Sequence, residues 1–303
     1  MEPSFAARGV RRTLRRSIKP ANDSVGADLV SAIRSGTDRR PAPTVRVRGV
    51  RRRPIGPTEL GGETGERTSV RNVRRHLIHF HGGYHVGGGP ALYRNLAARL
   101  AGGLDAEVFV LDLPLAPEQP FPAALECAWS AYEALICRGD VDSATAALTG
   151  DSAGGGLALA VAQRAAARRH PMPGALVLIS PWLDLTGTAE SVDRNDDHDD
   201  MLSAGALRGA AALYAGGPLG RPEVSPLFGS LEGLPPSFVT VDESETLHDD
   251  ARGFLDRATA ASSRVDLCET KGLFHIWPVF VPFVREARRT VSDVVRFLDS
   301  TLD

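Results

Sequence analysis

Residues 150–154 read Gly-Asp-Ser-Ala-Gly, between an apolar run at 144–149 and a helix-forming stretch at 157–169. A chain that leaves a strand, presents one serine and enters a helix over so few residues must reverse sharply. The serine backbone is then strained, and its neighbours must lack bulk so that adjoining elements can approach. Gly150 and Gly154 meet that need. Such a turn lifts the Ser152 hydroxyl above the end of a sheet and leaves it at a helix N-terminus, where developing negative charge is favoured. That is the placement of a nucleophile on an elbow. Alone, G-x-S-x-G also fits an ordinary strand-to-helix turn, and a chain with 31 glycines contains such strings by chance. The constraint comes from what stands around it.

Upstream, the short apolar run 77–80 leads into His81-Gly82-Gly83-Tyr84-His85-Val86, followed by Gly87-Gly88-Gly89. A strand ending in H-G-G brings backbone N–H groups beside the elbow, as an oxyanion hole requires. Downstream, the buried-strand pattern 237–241 runs into Asp242-Glu243-Ser244-Glu245-Thr246-Leu247-His248-Asp249. A further strand, 264–269, precedes Gly272-Leu273-Phe274-His275-Ile276-Trp277-Pro278. The order is oxyanion loop, serine, acid, histidine, each at a strand end. It predicts Ser152 as nucleophile, His275 as general base, and a carboxylate from Asp242, Glu245 or Asp249 to orient the imidazole.

The remaining pattern is that of one soluble α/β domain with a small appendage. At 303 residues, 43% hydrophobic and 24% charged, the chain has ordinary globular values. A net charge of −2 gives no global field for nucleic acid. No window approaches a membrane span. Arginines 8, 11, 12, 15 and 16 have no apolar segment behind them, so the start does not read as a secretory signal. Cys127, Cys137 and Cys268 form an odd set without metal spacing, which suggests reduced thiols in a cytoplasmic protein. An amphipathic stretch, 25–33, lies between Pro20 and Pro41; 45–50 alternates as an edge strand, and 54–68 suggests a hairpin. Thereafter strands at 77–80, 107–111, 145–149, 175–179, 237–241 and 264–269 alternate with helices near 91–101, 122–137, 154–168, 247–260 and 283–302. This predicts a mostly parallel, doubly wound sheet of about eight strands with helices on both faces. The alternation breaks between 185 and 236, a natural helical cap insert with a helix near 203–215 and an acidic run, 193–200, expected to be a solvated loop. The N-terminal arginines likewise read as a solvated helix face.

The chain resembles the hormone-sensitive-lipase-like (bacterial family IV) branch of the α/β-hydrolases. The match rests on His81-Gly82-Gly83, the L-A-P-E-Q-P-F-P-A-A block at 115–124, the GDSAGGG run at 150–156, Ser180-Pro181-Trp182-Leu183-Asp184 and Phe274-His275-Ile276-Trp277. Together these span roughly residues 76–280. The resemblance implies a serine carboxylesterase or acetylhydrolase acting on short acyl groups without a cofactor. One branch it resembles is the acetylhydrolase type of antibiotic pathways, as for bialaphos. It implies Glu245 as the triad acid, an oxyanion hole of Gly82, Gly83 and Ala153, and a cap built from residues 1–43 together with the 185–236 insert. Tyr84, where the family has a small residue, and Leu113-Pro114 in place of Tyr-Arg are departures. Tyr84, His85, Asp151, Trp182, Phe274 and Trp277 adjoin the catalytic loops and are expected to shape the substrate pocket.

Other readings leave specific traces. The spacing of His79, His81 and His85 suits a metal site, yet one lies in a strand and no Cys or Asp partner follows, so no metal is expected. The glycine-rich 82–89 stretch lacks both nucleotide-loop patterns. Removal of an N-acetyl group from a natural product would use the same machinery as ester cleavage. A non-catalytic binding protein on this scaffold commonly loses the histidine, which is present here as His275. The expected partner is a small acyl ester or acetylated natural product, with neither nucleic acid nor membrane span, and a homodimer is compatible with the sequence.

Overall fold

The computed structural model describes residues 2–19, 26–37, 43–56 and 58–302. Two helices lead, α1 (Phe5–Ser17) and α2 (Gly26–Thr37), followed by an antiparallel hairpin of β1 (Arg51–Pro54) and β2 (Gly65–Ser69). Then come β3 (Arg75–Phe80), α3 (Arg94–Leu104), β4 (Ala106–Leu111), α4 (Ala123–Ile136), β5 (Ala146–Asp151), α5 (Ala153–Ala167) and β6 (Ala175–Ile179). A helical excursion, α6 (Glu190–Arg194) and α7 (Ala204–Ala215), precedes β7 (Ser237–Asp242), α8 (His248–Ala260), β8 (Val265–Thr270) and α9 (Arg285–Thr301). The strands form one sheet in the order β1-β2-β4-β3-β5-β6-β7-β8, parallel from β4 onward.

Successive side chains of a strand point to opposite faces, and both faces here are covered. In β6, Leu176 and Leu178 pack into the core under α4, α5 and α8, while Val177 and Ile179 pack into the core under α3 and α9. That is why β3 to β7 read as nearly continuous apolar runs and are buried along their whole lengths. β1 is different: Arg51, Arg52, Arg53 and Pro54 are all exposed. Charge and proline on an edge strand discourage further pairing. The edge strand expected at 45–50 starts later, because the Val50 N–H closes a turn onto the Val47 carbonyl and Gly49 takes a left-handed φ of 80°. Pro20, Val25 and Pro41, which bound the expected amphipathic stretch, lie outside the described residues.

The N-terminal helices are fastened by polar contacts that a linear reading does not show. Ser4 caps α1 by accepting from the Ala7 N–H, and its own N–H and hydroxyl donate to the Glu286 carboxylate at 2.8 and 2.7 Å. Arg11 and Arg15 pair with Asp200, and Lys19 donates to the Leu202 carbonyl at 2.9 Å and pairs with Asp196. The acidic run is therefore only partly solvated: Asp193 and Asp197 are exposed, but Asp199 and Asp200 are buried. Asp199 accepts from the N–H groups of Met201 and Leu202 with one oxygen and of Thr246 with the other, each at 2.9 Å. A buried carboxylate must be hydrogen-bonded or paired, and Asp199 and Asp200 divide those two solutions. Among the described residues no helix is long and apolar enough to cross a membrane.

Candidate active site

In an open α/β sheet, loops at the carboxyl ends of parallel strands converge on one edge. Here β3, β5, β7 and β8 deliver His81–His85, Ser152, Glu245 and His275 to that edge. Ser152 follows β5 and caps α5 with φ 51° and ψ −123°, a conformation that a non-glycine residue keeps only when its surroundings hold it. Its N–H donates to the Ile179 carbonyl and its carbonyl accepts from the Trp182 N–H, both at 2.9 Å. Gly154 is obligatory, since an added Cβ would lie 2.0 Å from the Phe80 carbonyl oxygen.

Of the three candidate acids, Glu245 is the one that meets the histidine: its Oε2 lies 2.6 Å from His275 Nδ1. A carboxylate can only accept, so Nδ1 carries the proton and Nε2 is the nitrogen left to act as a base. Glu245 Oε1 accepts from the Ser180 hydroxyl at 2.9 Å and the Asp242 N–H at 2.8 Å. Asp242 is oriented away, accepting from Thr270 Oγ1 and the Leu273 N–H, each at 2.8 Å, and so fastens the loop that carries His275. Asp249 accepts from the Ser191 N–H and Arg194. Burial acts against the charged form of both members of the Glu245–His275 pair. For Glu245 burial prevails over the hydrogen bond and charge of His275, and its pKa is raised. For His275 burial pulls downward, but the hydrogen bond and charge of Glu245 outweigh it and the imidazole is raised above its usual 6.5.

Ser180 escaped the sequence reading. It links acid and base, since its hydroxyl donates to Glu245 and accepts from the Ile276 N–H at 3.2 Å. Its φ of 44° follows from the turn out of β6, and only its place in the Ser180-Pro181-Trp182-Leu183-Asp184 block signalled it. Asp250 was also missed. It is buried in α8, and one oxygen accepts from the Leu183 and Asp184 N–H groups at 2.6 and 2.9 Å, fixing that same block. Burial pushes its carboxyl up to about 8 against the two N–H donors.

The expected oxyanion donors divide. The Gly82 N–H is directed into the protein, donating to Asp151 Oδ1 at 3.0 Å and the Tyr93 hydroxyl at 3.1 Å, so it is not available to a substrate. The cause is Asp151, which is fully buried and needs donors. Among the described residues no protein group accepts from the N–H of Gly83 or Ala153. The His81 Nδ1–H donates to the Gly82 carbonyl at 2.8 Å, restraining the loop.

A cavity of about 320 Å³ opens over Ser152 and His275. Its wall includes Tyr84, Asp151, Tyr93, Leu14 and Ile18 of the α1 region, Ile33 of α2, Met201 and Phe280. Tyr84 and Asp151, both named as pocket residues from the sequence, are among its lining residues. The other four expected pocket residues do not line it, because each is consumed by packing behind the loops. His85 stacks on Tyr214 at 3.7 Å, with burial depressing its pKa to about 3. Trp182 donates its indole N–H to the Asp184 carbonyl at 3.0 Å. Phe274 packs edge-on against Phe280, and Trp277 donates to Thr290 Oγ1 at 3.1 Å. The N-terminal helices supply Leu14, Ile18 and Ile33 of that wall, residues that no motif singled out.

A doubly wound sheet with a strained serine on an elbow, on one cavity with a carboxylate-bound histidine, is the arrangement of a serine hydrolase. The α/β hydrolase fold family model matches residues 77–279. The chain is 36% identical to an esterase of Acinetobacter venetianus, covering 85% of this chain and 83% of that one. It is 38% identical to an acetyl-hydrolase of Streptomyces hygroscopicus, covering 76% and 77%. The crystal structure of an esterase from the bacterial hormone-sensitive lipase family superposes with a TM-score of 0.88 at 31% identity over all of both chains. The chain belongs to the α/β hydrolases, in their hormone-sensitive-lipase-like family IV branch, and is a carboxylic ester hydrolase.

Proposed function

We propose that the enzyme cleaves short-chain, acetyl-type esters with Ser152, His275 and Glu245 as its triad. The observation that carries this reading is the buried 2.6 Å contact between His275 Nδ1 and Glu245, on the cavity that Ser152 also lines. Ser152 Oγ attacks the acyl carbonyl while its proton passes to His275 Nε2. Glu245 remains a carboxylate and stabilises the imidazolium. The tetrahedral oxyanion is met by the N–H groups of Gly83 and Ala153 at the start of α5. Collapse breaks the ester C–O bond, and the departing alkoxide takes the proton from Nε2. A water then repeats the sequence on the acyl-enzyme and releases the acid. Residues 1–43 and the 185–236 insert form the cap over this site, a reading supported by the α1–Asp200 pairs and by the walls these segments give the cavity. The low charge of the lining suits a neutral ester.

Short acyl preference rests on the cavity, which is at the small end for ligand sites. It rests also on Tyr84, whose ring stands in the oxyanion loop where the family keeps a small residue. Excess acyl volume costs about 1–3 kcal/mol in a packed pocket. Across p-nitrophenyl esters, kcat/KM is expected to fall at least about tenfold from C2–C4 to C8, equivalent to roughly 1.4 kcal/mol. Tyr84→Gly is expected to flatten that profile. A native preference for C8 would overturn the short-acyl reading, and an unchanged profile in the variant would remove Tyr84 from the acyl wall.

The pH dependence follows from the raised imidazole. The base acts neutral, so kcat/KM is expected to rise with pH through a midpoint above 6.5, the side to which Glu245 displaces it. A pH–rate profile with its acid limb centred below 6 would contradict a base held by an ionised Glu245.

A further inference from the structure

We propose that Tyr93 is a positioning residue of the oxyanion loop, acting through Gly82 and Asp151; the inference rests on the assignment of Ser152 as nucleophile. Tyr93 lies just before α3, remote in sequence from the elbow, and is 3% exposed. Its hydroxyl accepts from the Gly82 N–H at 3.1 Å and donates to Asp151 Oδ2 at 3.0 Å. The other oxygen, Asp151 Oδ1, accepts from the same Gly82 N–H and from His79 Nε2 at 3.2 Å. His79 is oriented in turn by Thr149 Oγ1, 2.9 Å from its Nδ1. Burial and the neighbouring carboxylate push the Tyr93 phenol far above its usual range, so it remains a donor at any pH of assay.

The geometry decides what this network can do. Asp151 immediately precedes the nucleophile, and Gly82 immediately precedes the free donor Gly83. The peptide joining Gly82 to Gly83 is a rigid plane with the Gly82 carbonyl on one side and the Gly83 N–H on the other. His81 holds that plane by its carbonyl, while Tyr93 and Asp151 hold the N–H at the preceding end of Gly82. The direction of the Gly83 N–H, relative to Ser152, is therefore set by hydrogen bonds and not by side-chain packing of the loop. There is no room for a side chain to share the task, since a Cβ on Gly82 would lie 2.5 Å from Asp151 Oδ2 and 3.0 Å from Ser152 Cβ. The Tyr93 ring lies 4.7 Å from the His79 ring and stacks on His81 at 6.3 Å. A phenylalanine keeps these contacts and removes only the hydroxyl.

Misplacing a donor by an ångström can cost about a hundredfold in rate. Tyr93→Phe is expected to lower kcat for p-nitrophenyl acetate about 10- to 100-fold, with KM within about twofold and the acid limb of the pH profile in place. Rates are expressed per site labelled by a serine-directed phosphonate, so an unfolded fraction does not count. Inhibition by a trifluoromethyl ketone, whose adduct carries the oxyanion, is expected to weaken by the factor lost in kcat/KM. Asp151→Asn, measured in the same way, is expected to show the same loss confined to kcat. The proposal is overturned if Tyr93→Phe retains kcat within threefold per labelled site, or if its loss appears in KM or melting temperature without weakening the ketone. Failure of the phosphonate to label Ser152 in the unaltered enzyme would instead overturn the nucleophile assignment, leaving the Tyr93 outcome separately readable.

Discussion

Ser152→Ala is expected to lower kcat by about 10⁴–10⁶ while the protein remains folded. The range follows from what survives: donors of the oxyanion hole and the binding cavity still act on the substrate, so the residual rate stays above that of free water. The fold should persist because the elbow is held by its backbone. The Ser152 N–H and carbonyl are bonded to Ile179 and Trp182, and Gly154 sits against Phe80, none of which involves the hydroxyl. Alanine occupies the same left-handed φ at a comparable cost. Turnover of p-nitrophenyl acetate beside circular dichroism and thermal melting checks this. Activity above about one percent in a variant free of parent enzyme would remove Ser152 from the nucleophile's place.

Glu245→Gln should have the next largest effect, about 10⁴ in kcat, by the same logic that makes an amide in place of a triad carboxylate select the wrong imidazole tautomer. The amide also leaves the imidazolium without a counter-charge in a buried site. Burial, which already pulls His275 downward, would then act unopposed by the carboxylate, so the acid limb of kcat/KM should move to lower pH. The paired loss and downward displacement distinguish Glu245 from its neighbour. Asp242→Asn removes an acceptor for Leu273 and Thr270, so its effect should fall on stability and leave the limb above 6.5. If Asp242→Asn displaced the limb and Glu245→Gln did not, the acid would have to be reassigned.

The family was legible in the chain because its motifs are local. A strand, a tight turn and a helix leave patterns of apolar spacing and glycine that survive without coordinates, and β3 to β8 lie within a few residues of where those patterns placed them. Boundaries failed where a turn interrupts an alternation, as at Gly49. The candidate nucleophile and base were likewise named by position at strand ends, Ser152 because glycines flank it in the turn from strand to helix and His275 because it follows the last strand in the order the chemistry needs.

The contacts among distant segments were decided only by the tertiary structure. Glu245, Asp242 and Asp249 are chemically similar and nearly adjacent, and which carboxylate meets His275 depends on the direction each side chain takes out of the β7 turn. The Gly82 N–H was assigned outward by motif and turned inward by Asp151 and Tyr93, groups that share no sequence neighbourhood. The C-terminal end of the acidic run, which read as solvated like the rest, is buried because α1 brings Arg11 and Arg15 against Asp200. His85, Trp182, Phe274 and Trp277 are bulky rings beside catalytic loops, and only packing could direct them into the core instead of the cavity. Periodicity and turn composition are properties of a short stretch of chain, so the sequence alone determined the elements and the order of the chemistry. Burial and hydrogen-bond pairing belong to the assembled molecule, so the partners of each polar group and the walls of the cavity waited for the fold.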